Sequence, residues 1–163
     1  MERREMGEYS LATLRILMGL MMLWGFFDKL LGLGYETPAG QGMIDGGSPS
    51  SFVVYVTGGL FSDFYNSIAG NGFVDFTMMA AMLVIGITLT LGFASKLTTI
   101  GMCAFVLVMY SLHIPPTDNP LIDYHITWAV AMVSVYLLGG YDRISINDGW
   151  KESDLVKRFP ILE

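Results

Sequence analysis

Seven ionisable residues stand inside or at the edges of otherwise apolar stretches: Arg15, Asp28, Lys29, Asp75, His113, Asp123 and His125. Charge in such a stretch costs a few kcal/mol or more unless it snorkels, pairs or faces a cavity. These residues are therefore the first candidates for function. Lys29 is the one fixed cation at the end of the chain's helices where Asp28, Asp75 and Asp123 also fall, and leaving it unpaired in low dielectric would be costly. Asp75 and Asp123 are its expected partners, because the adjacent Asp28 points about 100° away around a helix. Lysine and histidine can donate hydrogen bonds to carbonyl oxygens, and histidine or aspartate can relay protons from water. In an aromatic-walled membrane pocket this set suits a quinone. Lys29, Asp123 and His125 are the catalytic candidates, and Trp24, Asp28, Asp75, Tyr110, His113 and Trp128 are candidates for lining the cofactor. The same cluster also suits a small anion held by Lys29, or a proton-coupled transporter. Each residue has a plainer reading as well: Asp28 and Lys29 as a pair fixing helix depth, Asp75 and Asp123 as helix-start carboxylates, and His113 as an interfacial histidine.

Four apolar runs must position these groups. The first, residues 11–33, is long enough to cross a bilayer, which takes about 20 apolar residues. It is expected to place Arg15 at its inner end, snorkelling to the cytoplasm, and Asp28–Lys29 at its outer end. The others are residues 73–93, 97–114 and 122–138. The third is stopped by Pro115–Pro116, which cannot continue helical hydrogen bonding, and the fourth by Gly139–Gly140. An up-down arrangement of four spans brings Asp28, Lys29, Asp75, His113, Asp123 and His125 to one side. Between the first two spans lies a long outer loop, 34–72. Its stretch 51–70 is apolar and aromatic but broken by Gly58–Gly59, so it reads either as an interfacial or re-entrant element or as a pair of packing helices. Tyr55, Phe61, Phe64 and Tyr65 would sit at headgroup level. The tail, 139–163, is polar, with a surface helix expected around residues 150–159.

The fold class expected is therefore all-α: one integral membrane four-helix bundle with an interfacial or re-entrant segment between its first two spans. Composition agrees. Of 163 residues, 53% are hydrophobic and 15% charged, against about 25% charged in a soluble domain. Lysine and arginine fall in the N-terminus, the 94–96 turn and the tail, and are missing from loops 34–72 and 115–121. The positive-inside rule then sets both termini in the cytoplasm of a multi-pass protein of the cell membrane. The first run is longer than a signal-peptide core and lacks a small-residue cleavage pattern, so it reads as an uncleaved span. A net charge of −6 argues against nucleic acid as a partner. Cys103 is the single cysteine, so no internal disulfide, CxxC pair or CxxCH haem attachment exists. No metal or haem site is expected, and methionines such as Met22, Met79 and Met82 read as adaptable apolar filler.

The run LRILMGLMMLWGFFDKLLG carries Arg15, Gly19, Trp24, Gly25, Lys29 and Leu30. It resembles the first-span motif of the DoxX/DoxD family, with the G-F-F-D-K-L spacing one residue longer than that motif. LVIGITLTLGFASKLTTIGM is similar to the family's second span, turn and third span, and Asp123-Tyr124-His125 through Gly139-Gly140-Tyr141-Asp142 to its last span and exit. The long outer loop looks closer to the DoxD type. The resemblance implies a four-helix membrane subunit of a thiosulfate:quinone oxidoreductase. Such a subunit oxidises thiosulfate to tetrathionate and passes electrons to quinone, beside a DoxA-like small subunit or another redox protein. Arg15, Lys29 and Asp123 are the positions that match the family. A non-catalytic scaffold docking a redox partner and a small solute transporter are the alternative functions, and a homo-oligomer fits any of the three.

Overall fold

The computed structural model describes residues 2–116, 119 and 121–162, and among these all regular structure is helical. In chain order the α-helices are α1 (Arg3–Leu31), α2 (Val53–Val56), α3 (Ser62–Ile68), α4 (Gly72–Leu91), α5 (Ser95–Ser111), α6 (Tyr124–Leu137), α7 (Asn147–Lys151) and α8 (Asp154–Arg158). Short 3-10 turns occur at Met43–Asp45 and Pro160–Leu162.

The helix ends follow local chemistry. α1 begins eight residues before the apolar run. The Glu5 side chain accepts the Glu2 N–H at 3.1 Å, and Arg4 pairs with Glu8 at 3.1 Å, so the polar turn is itself helical. It ends at Gly32, whose left-handed backbone (φ 60°) turns its N–H back to the Asp28 carbonyl at 2.8 Å. The Asn71 side chain caps α4 through the Phe73 N–H. α6 starts at Tyr124 because Asp123 is its cap, accepting from the His125 N–H at 2.9 Å and the Ile126 N–H at 3.4 Å. The tail departs from expectation. In place of one surface helix it forms α7 and α8, with the Trp150 indole donating to the Leu162 carbonyl at 2.8 Å and stacking near Phe93.

α1 packs chiefly on α4, and α5 on α6. α4 also meets α5, and α1 meets α6, closing the set. The core is rich in methionine: Met18, Met22, Met78, Met82, Met102 and Met132, with Leu89 and Val135. Two helices, α1 and α4, are long and apolar enough to cross a membrane. α5 and α6 have 17 and 14 residues, and 14 residues rise only about 21 Å. Charged groups are buried beside this apolar core, and large apolar side chains stand on the surface. Arg15, Asp28, Lys29, Asp75 and His125 are buried, while Leu17, Met21, Phe76, Val84, Ile100 and Leu137 are exposed.

Glycines set the α1–α4 distance. A Cβ on Gly19 would lie 2.7 Å from the Thr90 backbone nitrogen, and one on Gly86 would lie 2.8 Å from the Leu23 side chain. Small residues at such a crossing let two backbones approach. Gly19→Leu should therefore push α1 off α4 and lower stability by roughly 1–3 kcal/mol, the usual range for overpacking. Thermal unfolding in detergent would show it as a fall in Tm, and an unchanged Tm would mean the two helices do not meet at Gly19.

Candidate functional site

Asp28 and Asp75 are loop anchors. Asp28 accepts the Thr37 N–H at 2.8 Å and the Tyr35 N–H at 3.3 Å, and so folds the start of the outer loop over the end of α1. Asp75 accepts the Ser50 N–H at 2.7 Å and the Ser48 hydroxyl at 2.8 and 2.9 Å. The Ser50 hydroxyl in turn accepts the Gly70 N–H at 3.0 Å. A buried carboxylate is tolerated where N–H and O–H donors replace its water, and these charge-assisted bonds are the stronger class. The loop between α1 and α4 is thus pinned to each of these helices by one aspartate.

Lys29 pairs with neither of its expected partners. Its Nζ lies 2.9 Å from Glu36 Oε2 and 5.1 Å from the centre of the Phe52 ring. Asp75 is occupied by the Ser48 hydroxyl and the Ser50 N–H, and Asp123 by α6, while the loop held by Asp28 delivers Glu36, seven residues on from Lys29. Lys29 is 8% exposed. It borders a cleft of about 440 Å³ with Glu36, Gln41, Ser48, Phe52 and Tyr55. An ammonium has three donors, and among the described contacts one is taken by Glu36.

A second cavity, about 390 Å³, runs between α4 and α5 beneath α2 and α3. Its walls include Phe73, Met78 and Ala81 of α4, Ala104 and Phe105 of α5, and Val53 and Tyr65 of the loop helices. It is a groove almost without polar atoms. The segment around residues 48–55 walls both cavities, with Ser50 and Val53 facing the groove and Ser48, Phe52 and Tyr55 facing the cleft. The outer-loop stretch is thus a pair of short helices packed on each other. They are fixed by the Leu60 N–H to the Ile114 carbonyl (2.9 Å) and by contact between the Tyr65 and Ser111 hydroxyls.

His113, Asp123 and His125 come together at the junction of α5 and α6. His125 Nδ1 lies 2.6 Å from Asp123 Oδ2, and the two imidazoles stack with centroids 5.6 Å apart. Stacked rings show each other their faces, which suits no haem between them. Tyr124 covers the other side of His125 at 4.1 Å. Trp24 is 50% exposed and meets Tyr35 edge-on, while Trp128 packs against the core. Tyr110 donates to the Leu121 carbonyl at 2.7 Å, holding the α5–α6 loop. The single cluster expected from the sequence therefore resolves into two loop anchors, a lysine cleft and a histidine–aspartate trio.

At the opposite end, Arg15 is 0% exposed and does not snorkel. Its Nη2 donates to the Ile144 carbonyl at 2.6 Å, with Arg143 O at 3.5 Å, and the guanidinium lies 5.0 Å over the Tyr141 ring. Burial pushes the Tyr141 phenol up to about 12. Gly92, at φ 70°, leaves room for the guanidinium where a side chain would overlap it. Arg143 reaches back to Glu8 of α1 at 3.0 Å. The arginine thus binds the tail to the helices. The one sequence signal for this was a glycine ending α4 opposite a buried cation. Comparison of the chain with protein-family models, curated proteins and solved structures finds no match.

Proposed function

We propose that the chain is a multi-pass membrane protein with both termini cytoplasmic, and that it binds a quinone as the membrane subunit of an oxidoreductase. One observation carries this: a polar cleft with a buried lysine and an apolar groove share one wall, residues 48–55. A quinone has the same two parts, a carbonyl-bearing ring and an apolar tail. Each cavity falls in the size range of small-molecule sites. In this reading Lys29 donates to a ring carbonyl with an N–H that Glu36 does not use, Phe52 and Tyr55 flank the ring, and the tail lies between α4 and α5. The membrane setting is supported by the apolar lengths of α1 and α4 and by the outward-facing side chains of α5 and α6. The shorter α5 and α6 reach across with their flanking loops or by local thinning of the bilayer.

The resemblance to DoxX/DoxD proteins suggests thiosulfate as the electron donor. Two thiosulfates would lose two electrons and join through a new S–S bond as tetrathionate. The quinone would take those electrons and two protons to become quinol. A DoxA-like or other redox partner would supply the sulfur-binding site.

The test is a titration of purified protein in mild detergent with ubiquinone and menaquinone analogues, each in short- and long-tailed forms. Lys29→Met should weaken all forms about 10- to 100-fold, the equivalent of one charge-assisted hydrogen bond. Ala104→Trp, which fills the groove from the surface of α5, should weaken the long-tailed forms alone. Folded wild-type protein that binds none of them would sink the quinone site and favour a scaffold that docks a redox partner.

A further inference from the structure

The quinone reading leaves the trio at the α5–α6 junction without a task. His113, Asp123 and His125 each offer a ligand atom, and the three atoms lie within 4.8 Å of one another. The tautomers follow from their neighbours. His113 Nδ1 is 3.0 Å from the Met109 carbonyl, which can only accept, so that nitrogen carries the proton. His125 Nδ1 is 2.6 Å from Asp123 Oδ2, so it also donates. Among the described residues neither Nε2 has a hydrogen-bond partner, which leaves that nitrogen of each ring for a ligand. One imidazole is tied through Nδ1–H to a carboxylate and the other to a backbone carbonyl, the support that metal-binding histidines use.

We infer that His113 and His125 bind a zinc-class divalent ion through Nε2, with Asp123 orienting His125 and supplying negative charge. Imidazole favours Zn²⁺, Ni²⁺, Co²⁺ or Cu²⁺ over Mg²⁺ or Ca²⁺. Neighbouring ligands around a tetrahedral zinc ion sit about 3.3 Å apart, so the two rings must turn out of their stacked pose as well as draw together, to aim both Nε2 lone pairs at one ion. Water completes the shell, because His113 and Asp123 are only half-buried. The N-terminus of α6 faces the cation with its positive end, and the Asp123 carboxylate that caps that helix offsets it. Three fastenings hold the site in shape: Asp123 on the first turn of α6, the Leu60–Ile114 bond beside His113, and Tyr110 on Leu121. The sequence alone raised no expectation of a metal here, because the spacing of the two histidines matches no ligand motif: His113 follows α5 and His125 stands in the first turn of α6.

This inference stands apart from the quinone reading and fails separately, since the metal is titrated with no quinone present. Chelator-treated full-length protein in detergent is titrated with Zn²⁺ by calorimetry and with Co²⁺ by absorption. Wild type should take up one equivalent of each, and the Co²⁺ complex should show the intense visible bands of a low-coordinate site with nitrogen ligands. His113→Gln changes a half-buried residue whose one side-chain hydrogen bond is to the Met109 carbonyl near the end of α5, and it should cost at least about 100-fold in affinity. Asp123→Asn keeps the helix cap and should cost about 10- to 100-fold, as loss of an outer carboxylate does. Two results would overturn the site. One is folded wild type that takes up no stoichiometric Zn²⁺. The other is His113→Gln, shown folded by circular dichroism, that binds as well as wild type or gives the same Co²⁺ spectrum.

Discussion

Gly92→Ala should lower stability by roughly 3–5 kcal/mol, far more than a methyl group on a surface turn normally costs. Two separate effects add. The residue sits at φ 70°, where an L side chain costs about 1–2 kcal/mol. The new methyl would also overlap the Arg15 guanidinium and drive it from the Ile144 carbonyl. A hydrogen bond from a charged donor is worth about 1.5–3 kcal/mol. The tail backbone is itself bent to make that bond, since Ile144, a β-branched residue, is held at φ 48°. The measurement is chemical or thermal unfolding in detergent of Gly92→Ala with and without Arg15→Met. In the Arg15→Met background the glycine substitution should cost only the backbone strain. Equal costs in the two backgrounds would mean that Gly92 does not serve the arginine.

The second large effect is expected at the opposite end of the helices, where Asp75 holds the loop. Asp75→Ala should destabilise the protein by roughly 3–5 kcal/mol and abolish quinone-analogue binding together with it. The substitution leaves the buried Ser50 N–H and the Ser48 hydroxyl without their acceptor, and each orphaned buried donor costs about 1–3 kcal/mol. Because residues 48–55 wall both the groove and the cleft, releasing them removes both halves of the proposed site at once. Asp75→Asn keeps one acceptor oxygen and should fall between. Limited proteolysis gives an independent readout: the 34–70 loop should be cut sooner in Asp75→Ala than in wild type. A variant with a loop as resistant as wild type would show that the anchor lies elsewhere.

Both predictions concern groups read from sequence as polar intruders in apolar helices, and they show where that reading stops. Helix ends were legible. Pro115–Pro116 follows α5, Gly139–Gly140 follows α6 and Asp123 opens it, because caps and breakers act through backbone geometry within a few residues. The expectation that buried charges mark important positions also came from local physics, since apolar surroundings penalise charge whatever the fold.

The partners were decided by tertiary structure alone. Lys29 was expected to take a helix carboxylate and takes Glu36, because Asp28 folds the loop back and brings that glutamate over it. Asp28, Asp75 and Arg15 bond mainly to backbone N–H groups, a loop hydroxyl and a backbone carbonyl. Every residue but proline offers the same N–H donor and every residue the same carbonyl acceptor, so composition and periodicity carry no mark of which one is used. His113 and His125 meet only where the α5–α6 loop closes. Helical periodicity assigns a residue its depth and its face; the path of the loops determines which group stands opposite.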